Sequence, residues 1–447
     1  MGSSLVWTSP VLPQLLKNET STNTTSVLQE FFESNNSTNS TAFQLTIEEG
    51  SWVGAMLAIG SLSAAIPAGY LADRFGPKRC ILGFVLPVII FTLFAIFAQD
   101  VVTLCIGRIF SGIATGGVSV VAPMYISEIA DVSLRGTLGS FFELLIYLGI
   151  VITAVFGAFV HYITLTTILG IFALLVGVSF FFFPESPTYL MKTGKREKAE
   201  KALKFYRSQN YNVSQVLDEI SDGLSKRPQH KANIGEMLRS KAVIRGLIAC
   251  VGLTSFQQMS GIDGITFYTV FIFQEAGASV DAYTSSIIIA LVELASAGVV
   301  VLIVERIDRK IFLYISSAGT CICLALFGLY FTLKESGISG IGALPLTSMI
   351  CYNIFFALGL GPIPWMINGE LFSPEIKGLA NGITIATNWI LLFVITKTLP
   401  MMITVWGAHY TFYTYSIFMF LCTIFVRFCV PETRGKTLEQ IQEELKI

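Results

Sequence analysis

Several polar side chains interrupt apolar stretches of this sequence, and their types suit a ligand rich in hydroxyl groups. The densest group comprises Gln257, Gln258, Ser260 and Asp263. A polar side chain inside a membrane span is costly and marks a functional site by default. The two glutamines carry both hydrogen-bond donors and acceptors, which match hydroxyls. The alternative is that they join neighbouring helices to one another.

A second group lies where glycine and proline break a later apolar stretch, GLGPIPW at residues 359–365. Pro362 and Pro364 each remove a backbone donor and bend a helix. Aromatic residues in apolar stretches more often face lipid or the core, but a break beside Trp365 favours ligand contact. Its ring offers an apolar face and an N–H to a carbohydrate ring. Asn388 is a third candidate.

The elements that must position these side chains are membrane-spanning helices. The chain is 53% hydrophobic and 13% charged, whereas soluble domains carry about 25% charged residues. Eleven apolar stretches are long enough to cross a bilayer. They lie near 51–71, 81–98, 101–126, 138–160, 162–183, 243–273, 283–304, 311–333, 343–368, 379–400 and 408–430.

Composition also excludes several classes of partner. The net charge of −1 argues against nucleic acid, and the eight cysteines and three histidines lack metal-ligand spacing. We therefore expect no metal and no cofactor. We find no nucleophile–base arrangement and no nucleotide-binding loop, so an enzyme and an ATP-driven transporter are both disfavoured.

The basic residues predict how the spans are oriented. If even-numbered connections face the cytoplasm, 25 of the 29 Lys and Arg residues lie there, the exceptions being Lys17, Arg108, Lys334 and Lys397. This asymmetry predicts a multi-pass protein with a cytoplasmic C-terminus. The other side carries a loop, about 17–48, that is rich in Ser, Thr and Asn. Its Asn-x-Ser/Thr sites predict extracellular glycosylation. They begin at Asn18, Asn23, Asn35, Asn36 and Asn39.

Charged signatures recur at corresponding points of the two halves, 232 to 247 positions apart, which indicates an internal repeat. We interpret them as a cytoplasmic gate in which opposite charges pair across the halves. The alternative is that they only fix topology, because an isolated exposed pair contributes about 0–1 kcal/mol. The gate residues are Asp73, Arg74, Glu128, Arg135, Glu185, Glu305, Arg306, Arg309, Glu370, Lys377, Glu432 and Arg434.

The order and wording of six strings resemble the sugar-porter family of the major facilitator superfamily. They are GYLADRFGPKR (69–79), RIFSGIATGG (108–117), PESPTYL (184–190), FQQMSGIDG (256–264), GLGPIPW (359–365) and PETRGKT (431–437). Within that family the chain is most similar to the insect facilitated trehalose transporters. The resemblance implies an all-α membrane protein with two six-helix halves. Here the first helix matches only in its outer part, which gives about 11.5 spans.

The resemblance also assigns roles to residues. Positions that match Gln257, Gln258, Trp365 and Asn388 contact the sugar in the family. Positions that match Phe267 and Tyr268 form the extracellular gate, which closes the outer side of the site.

Three substrate-contact positions depart from the family pattern. Glu143, Asp263 and Glu293 stand where amide side chains are usual. Three carboxyls cannot all remain charged in a dry shared site without cations or protons. Either some are protonated, or the ligand is cationic, or the site holds more water than usual.

We divide the chain into four segments. These are an N-terminal transmembrane half at 1–187, a cytoplasmic helical linker at 188–241, a C-terminal transmembrane half at 242–430 and a cytoplasmic tail at 431–447.

The leading hypothesis is facilitative transport of a sugar, trehalose or a hexose such as glucose, across the plasma membrane by alternating access. Thr8 occupies the position of an acid found in proton-coupled members, which favours facilitated diffusion. One alternative is a proton-coupled symporter of a sugar, polyol or cationic solute. Another is a non-transporting sugar receptor. The expected partners are the sugar and the bilayer, with no obligate protein partner evident.

Overall fold

The computed structural model describes residues 1–16, 44–131, 135–206, 213–225, 240–303, 307–338, 340–372, 374–436 and 438–446. This part of the chain is helical, apart from an isolated bridge between Leu16 and Leu45. The five predicted glycosylation sites lie outside the described residues.

Helices long and apolar enough to cross a membrane number eleven within the described ranges, which confirms the predicted spans. Two short helices precede these spans. The helices of the first half are α1 (Gly2–Val6), α2 (Thr8–Leu15), α3 (Ile47–Phe75), α4 (Pro77–Gly83), α5 (Val85–Ile96), α6 (Val101–Ile129), α7 (Arg135–Phe159) and α8 (Tyr162–Phe181). Short polar helices follow at α9 (Pro187–Lys192), α10 (Arg196–Tyr206) and α11 (Val213–Ser225).

The second half repeats this arrangement, with two of its spans broken in the middle. Its helices are α12 (Lys241–Met259), α13 (Ile262–Ala276), α14 (Ala282–Ile303), α15 (Arg309–Glu335), α16 (Leu344–Leu358), α17 (Ile363–Glu370), α18 (Pro374–Trp406), α19 (Ala408–Cys429) and α20 (Leu438–Lys446).

Several helices begin earlier than their apolar stretches because polar residues form the first turn. At the start of α3, the Thr46 side chain accepts a bond from the Glu49 amide, and the Glu49 carboxylate accepts one from the Thr46 amide. This capping box satisfies two amides that the helix itself leaves without acceptors. Counting apolar residues alone therefore places the start of α3 about four residues too late, near residue 51 rather than at Ile47.

Small residues allow α3 and α6 to pack in direct backbone contact. A Cβ atom added at Gly60 would overlap the carbonyl of Ile109, and one at Gly112 would overlap the carbonyl of Leu57. The Ser61 hydroxyl donates to the carbonyl of Gly112 at 3.1 Å. Within a bilayer, such close approach of two helices stabilises their association through van der Waals contact.

One face of the bundle, here called the basic face, carries the short helices α9–α11 and the charged ends of α3, α15 and α18. The other end, called the opposite face, carries the bridge at Leu45 and the start of α19. The two halves meet where α3 packs against α18 and where α7 packs against α14. These two contacts enclose the site between the halves.

The internal repeat is visible as a shared cap at the basic face. The Glu185 carboxylate accepts from the Lys78 amide at 2.9 Å, near the start of α4. In the second half, Glu432 accepts from the amides of Arg309 and Lys310 at 3.1 and 3.0 Å, at the start of α15. A carboxylate is stabilised at a helix N-terminus by the helix dipole. Both signature acids therefore tie the end of their own half to the start of an earlier helix of that half, α4 or α15.

We expect Gly60→Ala to destabilise the protein, because its methyl group must push α3 away from α6. Overpacking of this kind costs about 1–3 kcal/mol. The measurement is the thermal melting of purified protein in detergent. Gly69→Ala, in the same helix, is the matched control, since a Cβ atom there meets nothing within 4 Å. Equal melting temperatures for the two variants would contradict this packing argument.

Candidate functional site

A helix break places the first polar group at the centre of the second half. The break falls at Ser260 and Gly261, between α12 and α13, and Gly261 has a φ of 83°. A Cβ atom there would be strained and would lie 2.9 Å from the Tyr415 ring. The Tyr352 hydroxyl donates to the Ser260 carbonyl at 3.1 Å and satisfies one freed backbone group. The break puts Gln257 at the end of one helix segment, close to the start of the next.

Gln257 joins this break to the second one. Its side-chain amide nitrogen donates to the carbonyls of Leu360 and Gly361, at 2.7 and 3.0 Å. Those carbonyls lie between α16 and α17, where the helical bonding pattern is interrupted. Gly359 is required nearby, because a Cβ atom would lie 2.5 Å from the carbonyl of Phe312. One side chain thus fixes two broken spans relative to each other.

The two glutamines retain free acceptor atoms. The side-chain oxygens of Gln257 and Gln258 are buried and have no hydrogen-bond partner in the described part of the chain. The amide nitrogen of Gln258 donates to the Asp263 carboxylate at 2.7 Å, which orients both groups. Since buried polar atoms are almost always satisfied, these two oxygens are suited to accept hydroxyl protons from a ligand.

The second predicted group lies on neighbouring helices. Trp365 is in the first turn of α17 and is 39% exposed. Asn388 lies on α18, which packs against both α12 and α13, and it is 6% exposed. The structure thus places the aromatic ring and the amide on helices that adjoin the break at Gly261.

The three carboxyls that depart from the family pattern lie around one tyrosine. Glu143, on α7, Asp263, on α13, and Glu293, on α14, are all close enough to interact electrostatically with Tyr147. Asp263 and Glu293 also lie within such range of Tyr352. The three carboxyls therefore come from both halves, Glu143 from the first and Asp263 and Glu293 from the second. The two tyrosines were missed by the sequence analysis because a tyrosine in an apolar span is unremarkable in type.

The residues predicted to form an extracellular gate, Phe267 and Tyr268, lie where the halves touch near the opposite face. The Thr8 hydroxyl donates to the Phe267 carbonyl at 3.1 Å. Tyr268 has a non-helical φ of −123° and ψ of 21° and donates its hydroxyl to the Thr396 carbonyl at 2.8 Å. This side chain packs on Gly54, where a Cβ atom would overlap the hydroxyl.

A lysine also links the halves at this face, and the sequence analysis gave it no role in the site. Lys397, on α18, donates to the Ser51 hydroxyl at 2.7 Å. Its amino group lies 4.4 Å from the ring centroid of Trp52, whose ring packs on Phe393 at 6.2 Å. A hydrogen bond and a cation–π contact therefore connect α3 with α18.

Arg108 is a further residue that the sequence analysis counted but did not assign. It is fully buried on α6 and donates to the carbonyls of Ser4 and Val53, at 2.8 and 3.3 Å. Its guanidinium lies 5.3 Å from the ring of Trp7 and 6.0 Å from that of Phe267. An arginine inside a span is itself a signal of function, so sequence alone could have nominated it.

Four described charges of the predicted cytoplasmic gate, Asp73, Arg309, Glu370 and Arg434, lie at the basic face in ion pairs, none of which joins the two transmembrane halves. These pairs are Lys192–Asp73 at 2.9 Å, Arg309–Glu370 at 3.5 Å and Arg434–Asp308 at 3.1 Å.

The remaining gate residues make local contacts. Arg74 donates to the Tyr70 hydroxyl at 3.4 Å, and Lys377 donates to the Gly369 carbonyl at 2.7 Å. Glu128 accepts from Ser186. The structure does not describe Glu305, Arg306 or the side chain of Arg135. Pairing of charges across the halves therefore stays a prediction.

Comparison with known proteins identifies the family. Residues 18–445 match the family described as "Sugar (and other) transporter". The chain belongs to this family. It is 33% identical, over 91% of its length and 84% of the relative's, to a facilitated trehalose transporter Tret1-2 homolog of Drosophila simulans. It is also 33% identical to the facilitated trehalose transporter Tret1 of Apis mellifera ligustica, over 99% of this chain and 84% of that one.

The fold is that of a solved transporter. The inward-open conformation of the xylose transporter XylE from Escherichia coli superimposes with a TM-score of 0.79 at 24% identity, covering 99% of this chain and 96% of that one. The expected major facilitator fold is confirmed. Family membership also confirms the expectation of a transporter rather than an enzyme.

We expect Lys397→Met to loosen the opposite face, because it removes both the bond to Ser51 and the contact with Trp52. The readout is the labelling rate of a Leu12→Cys probe by an impermeant maleimide added from that face, with native cysteines replaced by serine. A net loss of about 1 kcal/mol would speed labelling roughly fivefold.

Lys334→Met is the matched control for this experiment. Lys334 lies at the same face but bonds to the carbonyls of Glu275 and Ala276 in its own half. Equal labelling rates in the two variants would show that the Lys397 contacts do not hold the halves together.

Proposed function

We propose that this protein is a facilitative transporter of a sugar, trehalose or a hexose such as glucose, that works by alternating access. The observation that carries the proposal is the Gln257 amide, which joins two broken spans while its own oxygen stays buried and unpaired. Broken helices at the midplane are where transporters of this architecture bind substrate. The named trehalose transporters to which the chain is similar support the choice of sugar.

The contacts between the halves support alternating access. At the opposite face, contacts of Thr8, Lys397 and Tyr268 join the halves, whereas none of the described ion pairs at the basic face does so. A cavity between such halves is closed at one face by the gate and can open towards the other. Movement about the site would then expose it to the two sides in turn.

We further propose that the protein lies in the plasma membrane, with the basic face and the C-terminus in the cytoplasm. The excess of Lys and Arg at that face supports this orientation. The segments 1–187 and 242–430 would form the two transmembrane halves, with 188–241 as the cytoplasmic linker and 431–447 as the tail. Glycosylation at the outer loop belongs to the same proposal.

The direct test is counterflow of radiolabelled trehalose and glucose in proteoliposomes, with and without a pH gradient. Exchange of either sugar that does not depend on the gradient supports a facilitative transporter. Accumulation driven by the gradient would instead indicate symport. The absence of exchange of both sugars would contradict the proposal.

We expect Gln257→Ala and Trp365→Ala each to lower the rate of counterflow at least tenfold. The first removes the bond between the breaks and a free acceptor, and the second removes an exposed ring beside the site. A tenfold effect corresponds to about 1.4 kcal/mol. Gln274→Ala and Trp406→Ala are the matched controls, since both side chains are exposed and lie near the opposite face. Unchanged counterflow in both site variants would place the binding site elsewhere.

A further inference from the structure

We propose that the central site prefers sugars that carry a protonated amino group over neutral sugars of similar size. This inference rests on the proposed function and adds a substrate class to it. It begins from the three carboxyls of Glu143, Asp263 and Glu293, which stand on three different helices and face one region.

Glu293 is the clearest of the three. Its side chain is 8% exposed, and within the described residues it has neither a hydrogen-bond partner nor an ion pair. It lies on α14, which packs against α7 of the other half. Burying a carboxylate without compensation is expensive, so a structural role would normally bring a partner with it.

Glu143, on the first half, likewise lacks a described partner. Its side chain is exposed, and it lies on α7, the helix that packs against α14, where Glu293 lies. The described residues offer it no hydrogen bond and no ion pair. Asp263 accepts one bond, from Gln258 at 2.7 Å, and its second oxygen has no partner in the same ranges.

Within the described ranges, no Lys, Arg, His or N-terminal amino group forms an ion pair with these carboxyls. The hydroxyls of Tyr147 and Tyr352 are close enough to interact with them electrostatically. The buried guanidinium of Arg108 donates instead to the carbonyls of Ser4 and Val53. Acidic groups on three helices, with no described ion-pair partner, are matched by a ligand that brings its own charge.

A metal ion is a poorer match than an ammonium group. No three His, Cys, Asp or Glu side chains in the described part of the chain are close enough together to hold a metal ion. The carboxyls are therefore spread around a space rather than gathered at a point. An amino group on a sugar ring can lie near one of them while the ring hydroxyls donate to the free oxygens of Gln257 and Gln258.

The experiment is competition against counterflow, with glucosamine as the cationic probe and 2-deoxyglucose as the neutral one. In the wild-type protein, the concentration of glucosamine that halves counterflow should be about tenfold lower than that of 2-deoxyglucose. This ratio is equivalent to about 1.4 kcal/mol. In Glu293→Gln this ratio should fall towards one. Because the ratio is measured within each variant, a changed transport rate does not affect it. Glu275→Gln, an exposed acid at the opposite face, is the matched control and should keep the ratio.

A second readout separates this inference from the proposed function. Thermal stabilisation of purified protein by each probe reports binding even if no sugar is exchanged. Equal effects of the two probes on a protein that exchanges trehalose or glucose would overturn the inference and leave the function intact. A preference that survives in Glu293→Gln would also overturn it. If that variant does not fold, Asp263→Asn provides the same comparison.

Discussion

The bond from the Gln257 amide to the carbonyls of Leu360 and Gly361 is the contact on which the site depends. A span that is broken inside a bilayer leaves backbone groups without partners, and each costs several kcal/mol unless protein satisfies it. Where two breaks lie close together, a side chain at one can bond to the backbone of the other. Gln257, at the end of α12, donates to the carbonyls between α16 and α17, and the Tyr352 hydroxyl donates to the Ser260 carbonyl. Irregular backbone is thereby kept at the point where a ligand needs it.

The rest of the bundle makes each half rigid and allows the two halves to move relative to each other. Direct backbone contact between α3 and α6 makes the first half stiff, because neither helix can slide without a clash at Gly60 or Gly112. The two halves pack on each other along α3 and α18 and along α7 and α14. At the opposite face they are also joined by the Thr8 hydrogen bond, the packing of Tyr268 on Gly54 and the Lys397 contacts. Such contacts can form and break without unfolding either half.

Much of this arrangement could be predicted from sequence, and the exceptions have physical causes. The eleven spans follow from hydropathy, and Gln257 and Trp365 stand out because polarity and Gly/Pro breaks are costly in a membrane. Lys397 was missed as a contact between the halves, since its partners Ser51 and Trp52 lie some 345 positions earlier in the chain. The ion-pair partner of each predicted gate residue could not be predicted from the sequence either. Sequence marks Asp73 as a signature residue but does not indicate that Lys192, at the end of α9 in the linker, pairs with it.

That choice of partners has a consequence for how the protein responds to its surroundings. The pair Arg309–Glu370 lies within the second half, Lys192–Asp73 ties the linker to the first half, and Arg434–Asp308 ties the tail to the second, so none of the three joins the two halves. Dissolved salt weakens exposed ion pairs. Among the described residues, ionic strength therefore acts on the ion pairs at the basic face, whereas the Thr8 and Tyr268 contacts at the opposite face involve uncharged groups.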